Sequence, residues 1–147
     1  MIGSEEDNQG NALNIYMQDN LNMCPALSLF LKVYAETIDT GFSNSVPFYG
    51  DKQRMVWAES ESGEVMGGIC YEYRQPVRMG WIVLSFTDPK YRGRGINEIL
   101  HKYMENDIRE LGGYRVCSYV SINNKSRLKA AEKVGLKPQF YRMNKNL

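Results

Sequence analysis

The chain has 147 residues, 43% of them hydrophobic, with 18 Lys and Arg against 17 Asp and Glu for a formal net charge of +1. That length suits a single domain, 1-147, with one good core, and the charge balance excludes the global basic field used to bind nucleic acid or anionic membranes. No apolar run reaches membrane-spanning length and no leader with a hydrophobic centre opens the chain, so a soluble protein without a membrane partner is expected.

Taken in order, Met1 to Asn11 is polar and acidic at Glu5-Glu6-Asp7 and reads as a mobile tail. Ala12 to Met17 alternates as a first strand. Asn22 to Thr40 reads as a helix, with Pro25 near its start and Ala26, Leu27, Phe30, Val33, Tyr34 and Ile38 on one face; Gly41 ends it. Arg54 to Ser60 and Val65 to Arg74 are strands around the turn Glu61-Ser62-Gly63-Glu64, and Gln75-Pro76 leads into a strand from Arg78 to Thr87. The order of elements is mixed α/β, with helices over a central sheet. Cys24, Cys70 and Cys117 are odd in number and set in apolar or strand-like contexts, so reduced core thiols and a cytoplasmic setting are expected.

The most informative stretch follows. The run Trp81 to Thr87 is apolar, β-branched and aromatic, Asp88-Pro89 stops it, and Lys90-Tyr91-Arg92-Gly93-Arg94-Gly95 turns directly into a helix. Glycines there admit positive φ and the close approach of a ligand. Ile96, Ile99, Leu100, Tyr103, Met104, Ile108 and Leu111 mark the helix, and Gly112-Gly113 ends it. Its first turn offers unpaired N–H groups and the positive end of the macrodipole, an arrangement that attracts anions. The Gly-Lys-Ser/Thr ending of a Walker loop is missing, and only two glycines fit a dinucleotide fingerprint. A solvated turn with good helix-start chemistry would read the same way. His101, the one histidine, has no Cys/His ligand spacing around it and is expected at the surface, with no metal site.

Tyr114 to Ser121 reads as another strand. Asn123-Asn124-Lys125-Ser126 opens a helix to Lys133, ended by Val134-Gly135-Leu136, and Lys137 to Met143 can supply a last strand. Asn123 and Gly135 also suit an ordinary N-cap and C-cap, and the basic residues Lys125, Arg127, Lys129 and Lys133 suit a solvated helix face.

The two blocks together resemble the GNAT N-acetyltransferase superfamily. Arg92-Gly93-Arg94-Gly95-Ile96 matches its acyl-CoA signature, Arg/Gln-x-x-Gly-x-Gly/Ala, with Asn97 where glycine or alanine is usual. Asn123, Ser126, Gly135 and Leu136 match its second block, with Leu136 for phenylalanine. The resemblance implies a mixed, mostly antiparallel sheet with splayed parallel strands and helices on both faces. It implies acetyl-CoA as acyl donor and a primary amine of a small molecule or peptide as acceptor. Backbone at Phe86 and Thr87 would hold the pantetheine and an oxyanion; Arg92, Gly93, Arg94, Gly95, Ile96 and Asn97 would hold the pyrophosphate; Asn123 and Ser126 would add side-chain contacts. The family's glutamate base falls on Trp81 and its tyrosine acid on Ala130, or Ala131 if Asn124 is the motif residue. Ser126 and Tyr141 are the substitutes for the acid; Glu72 or a water chain stands as the alternative for the base, with Glu72 otherwise, and by preference, an ordinary exposed strand residue. Phe42, Phe48, Tyr49, Tyr71 and Tyr73 suit an acceptor site or plain packing. Fewer C-terminal strands than the family has would leave the acceptor side open for a second subunit to cover. The alternatives are a noncatalytic acyl-CoA-binding domain and an interaction domain.

Overall fold

The computed structural model describes residues 1–41 and 52–147; Phe42, Phe48 and Tyr49 lie outside the described residues. Six strands form one sheet in chain order: β1 (Gly3–Glu6), β2 (Ala12–Gln18), β3 (Gln53–Ser60), β4 (Val65–Arg74), β5 (Met79–Thr87) and β6 (Arg115–Ser118). The first four pairings are antiparallel and β5 with β6 is parallel. Helix α1 (Leu27–Asp39) packs on one face. Helix α2 (Ile96–Glu110) packs on the other as the crossover between the parallel strands. Helix α3 (Lys125–Lys133) follows β6.

Alternation along the strands builds two cores. Leu13, Ile15, Val56, Ala58, Ile69 and Tyr71 meet Ile96, Leu100, Met104 and Ile108 of α2, while Met55, Trp57, Cys70 and Phe86 meet Phe30, Val33 and Tyr34 of α1. Burial pushes the Cys70 thiol up to about 12, as expected of an inert core thiol.

One irregularity in β5 sets up the site. Cys70 opposes Leu84 and Tyr71 opposes Ile82, which leaves Val83 as an extra residue, a bulge. Ile82 and Phe86 would share a face in a regular strand. Instead Ile82 joins the α2 core and Phe86 the α1 core. Beyond the bulge β5 also parts from β6: the pairing covers Met79 to Ile82 against Arg115 to Ser118 and stops there.

Three expectations are corrected. The segment Met1 to Asn11 is no tail, since Gly3–Glu6 pairs with β2 and Asp7 is buried; its acidic residues find tertiary partners, Tyr103 donating to Glu5 at 2.9 Å and Arg94 lying 3.6 Å from Asp7. The strand expected over Tyr114 to Ser121 keeps only Arg115–Ser118, because its second half leaves the sheet. Lys137 to Met143 forms no strand, and residues 137–147 are exposed. No described helix is long and apolar enough to cross a membrane.

Candidate active site

The glycine turn forms because Pro89 starts a short 3-10 turn, Pro89–Tyr91, that Asp88 caps by accepting from the Lys90 N–H. Gly93 and Gly95 then take φ of +77° and +79°, a region that L side chains avoid. Space above Gly93 is open, with no atom within 4 Å of where a Cβ would stand, whereas a Cβ on Gly95 would meet the Asn8 side chain at 2.7 Å. The turn between β1 and β2 is therefore a wall of this cradle, and the Asn8 N–H donates to the Arg94 carbonyl at 2.9 Å.

Charges divide by function. Lys90 is paired with Glu64, and Arg94 stacks on Tyr91 beside the Asp7 carboxylate. Burial pushes the Asp7 carboxyl up, but N–H groups of Asn11 and Gln9, the Asn11 amide and the Arg94 charge bring it below the usual carboxylate range. Arg94 is thus a tie to the hairpin and lies outside the cleft lining. Arg92 faces the cleft, its Nε donating to the Thr87 carbonyl at 3.3 Å. Asn97 is tied to β5 by the Ser85 hydroxyl, which donates to its Oδ1; its amide N–H groups remain to serve as donors at the first turn of α2.

Where β5 and β6 part, a cleft of about 1100 Å³ runs from this cradle along Val83 to Thr87. On its far side are Tyr119, Val120, Ser121, Asn124, Ser126, Arg127 and Lys129. The basic face of α3, expected to be solvated, therefore lines the cleft with Arg127, Lys129 and Lys133. Burial lowers the Arg127 pKa, and no hydrogen-bond partner among the described residues satisfies its Nη2. An open strand edge, a positive-φ turn at a helix N-terminus and unpaired guanidinium groups fit a long anionic ligand with an amide-bearing arm.

The chain matches the family model described as Acetyltransferase (GNAT) family over residues 21–136. It belongs to this family. Among curated protein sequences no significant match is found. Solved structures of the same fold include an aminoglycoside acetyltransferase from an uncultured soil metagenomic sample, in complex with sisomicin, at 15% identity and a TM-score of 0.71 over 92% of this chain and 96% of that one. A ribosomal-protein-alanine N-acetyltransferase from Brucella melitensis biovar Abortus shares 14% identity, with a TM-score of 0.70 over 92% and 99%. A predicted acetyltransferase from Clostridium acetobutylicum, solved with acetyl-CoA, shares 16% identity, with a TM-score of 0.63 over 91% and 96%.

Within this GNAT domain, Phe86, Thr87, Arg92, Gly93, Gly95, Ile96, Asn97 and Ser126 gather on the cleft; Arg94, Asn123 and Tyr141 do not. The cap of α3 is Asn124, whose Oδ1 accepts from the Arg127 N–H at 3.1 Å, while Asn123 is exposed. Asparagines in tandem hid this from the one-dimensional pattern. Tyr141 is 87% exposed on the C-terminal segment. His101, expected at the surface, is only 2% exposed; burial and the nearby Arg127 charge lower its pKa to about 4.

Sequence reasoning missed Tyr119 and Gln53. The Tyr119 ring meets Trp81 edge-on at 4.8 Å between centroids, at the splay point, and Arg74 covers the Trp81 ring at 4.3 Å. Gln53 is 3% exposed and lines the same cleft. A tyrosine just past a strand and a glutamine opening one carry no pattern that marks them. Among the described residues, no group of three or more His, Cys, Asp and Glu could hold a metal ion.

Proposed function

We propose that the protein is an acetyl-CoA-dependent N-acetyltransferase that moves an acetyl group to a primary amine of a small molecule or peptide. The observation that carries this reading is the open β5 edge from Val83 to Thr87, which lines one cleft with the Gly93 and Gly95 cradle. Backbone groups on that edge pair with the pantetheine amides as an added strand would. N–H groups from Gly93 to Asn97, with Arg92, receive the pyrophosphate, and Arg127 and Lys129 face the nucleotide end.

Past Ile82, where β6 no longer pairs with β5, the backbone N–H at the bulged edge serves as oxyanion donor when the amine adds to the thioester carbonyl. A new N–C bond forms, the C–S bond breaks, and the amine gives up a proton as coenzyme A leaves as thiol. An ammonium with an ordinary pKa of about 10.4 must first lose a proton, and the open cleft admits water to take it. Tyr119 and Ser126 are among the hydroxyls that line the cleft; we assign protonation of the departing sulfur to Tyr119, whose ring meets Trp81 beside the splay point.

Acetyl-CoA-dependent thiol release over a panel of primary amines tests the reading, with acetyl-CoA binding measured in parallel by calorimetry. Release with at least one amine is expected, and no coenzyme A binding at all would overturn the reading. Trp81 and Ala130, at the positions where relatives carry a carboxylate and a tyrosine, favour as second reading a domain that binds acyl-CoA without turning it over. Binding with no release across the panel decides for that one.

A further inference from the structure

We propose that the row Gln53, Glu72 and Trp81 is the acceptor subsite and that it takes an alkylammonium group. This rests on the acetyltransferase reading above. Gln53 directly opposes Glu72 across β3 and β4, and Glu72 opposes Trp81 across β4 and β5. Directly opposed residues share a face and stand within side-chain reach. The face is that of α1, because Met55 and Cys70, two residues along their strands from Gln53 and Glu72, belong to the α1 core.

The row is short of donors. Gln53 is buried and its Oε1 accepts no hydrogen bond from the described residues, a costly state for a carbonyl oxygen unless a ligand supplies the donor. The Glu72 carboxylate is held from one side by Arg74, whose Nε and Nη2 both reach Oε1, at 2.8 and 2.5 Å. Its Oε2 accepts nothing among the described residues. Two residues of one cleft whose acceptor oxygens lack donors among the described residues select a group rich in N–H, and the carboxylate selects a positive one. A carboxylate, phosphate or ester would repel both oxygens.

Apolar walls define the rest of the ligand. Val33 and Leu84 line the same cleft, and the Trp81 ring, covered on one face by Arg74 at 4.3 Å, stands at the end of the row, so the charged head continues into a carbon stem. Glu36 adds negative charge from α1; besides Arg74, the cations on the same cleft are Arg92 at the glycine turn, Arg127, Lys129 and Lys133 on α3, and Arg142. The position also suits the reaction. Trp81 pairs with Cys117 one step before the β5 and β6 pairing ends, so the row stands at the level where an arm laid along Val83 to Thr87 presents its tip. Arg74 fixes the carboxylate, and Glu72 thereby acts as an ammonium counter-ion that positions the acceptor.

A free alkylamine and a peptide lysine offer the same head and stem. Butylamine and Nα-acetyl-lysine amide are therefore both used as acceptors, with wild type, Gln53→Leu and Glu72→Gln. Each variant is expected to raise the acceptor KM at least about tenfold, with kcat within about threefold and acetyl-CoA affinity unchanged. A lower wild-type KM for the lysine amide assigns the subsite to peptides, and a lower one for butylamine to free amines. Binding is read separately by calorimetry in the presence of coenzyme A, where no turnover occurs: wild type binds butylammonium in preference to butan-1-ol, and both variants lose that preference. If Gln53→Leu fails to fold, the half-buried Glu72→Gln still decides. The proposal is overturned if the variants keep the wild-type KM and preference, or if wild type shows no preference. Ammonium binding without acetylation of any amine would instead sink the acetyltransferase reading and leave the subsite standing.

Discussion

Arg92 keeps a guanidinium on the cleft while its basic neighbours do not: Lys90 is neutralised by Glu64, and Arg94 lies beside Asp7. Reversing one exposed charge next to a pyrophosphate both removes an attraction and adds a repulsion. Arg92→Glu is expected to weaken acetyl-CoA binding by about tenfold or more in calorimetry, with the melting temperature little changed, since the side chain makes one long bond to the Thr87 carbonyl. Tyr119→Phe keeps the ring contact with Trp81 and deletes only the hydroxyl. It is expected to lower kcat by about tenfold or more with the KM for acetyl-CoA nearly constant, and Ser126→Ala to do neither, as steady-state kinetics will show. At this scale the glycine turn was legible because positive φ demands glycine and because helix-start chemistry is local. The distinction between Asn123 and Asn124, and between Arg92 and Arg94, was not. The direction of Arg94 depends on the β1 to β2 turn, more than eighty positions away in the chain, and the tandem asparagines offered two equivalent caps.

The elements are joined across the sheet by one buried polar cluster. Asp107 of α2 accepts from Arg54 of β3 at 2.7 and 2.8 Å and from the Tyr71 hydroxyl of β4 at 2.6 Å. Its side chain is 11% exposed, so its loss leaves a guanidinium and a phenol without their acceptor in a confined space. Asp107→Asn is expected to cost about 3 kcal/mol in urea denaturation. Strands β2 to β5 and helices α1 and α2 were all legible, since apolar alternation at two and at three to four residues survives any tertiary context. The bulge at Val83 was not, for nothing in Ile82-Val83-Leu84 marks an extra residue. Its origin is the register that β4 imposes on β5. The hairpin strand β1 was missed for a related reason: short, polar edge strands carry little hydrophobic signal and are specified by the partner they pair with.

Across the whole molecule, burial of His101 between α2 and α3 couples stability to pH. Arg127 from α3 and Glu105, 3.9 Å away on its own helix, are the charged groups beside it. Its folded pKa of about 4 lies below the ordinary 6.5, so between these values the unfolded chain binds the extra proton. The contribution is complete above pH 6.5 and disappears as pH falls toward 4, by up to about 3 kcal/mol. Urea denaturation of wild type and His101→Gln across that window should show a flatter profile for the variant. A second whole-molecule expectation concerns assembly. Tyr119, Ile122, Phe140, Tyr141 and Met143, all following β6 in the chain, are each at least 69% exposed, and exposed apolar side chains of this kind suit contact with a second copy. We expect a homodimer by light scattering at micromolar concentration; a monomer alone would refute it.

Local chemistry was enough to establish the mixed α/β class, the strand and helix over Trp81 to Leu111 and the acyl-CoA signature, because turn glycines, helix starts and hydrophobic periods act over a few residues. Folding in three dimensions added the cleft itself. The parting of β5 from β6, the buried guanidinium of Arg127 and the donor-poor pair Gln53 and Glu72 arise from register and burial, which join residues distant in the chain and leave no trace in local spacing.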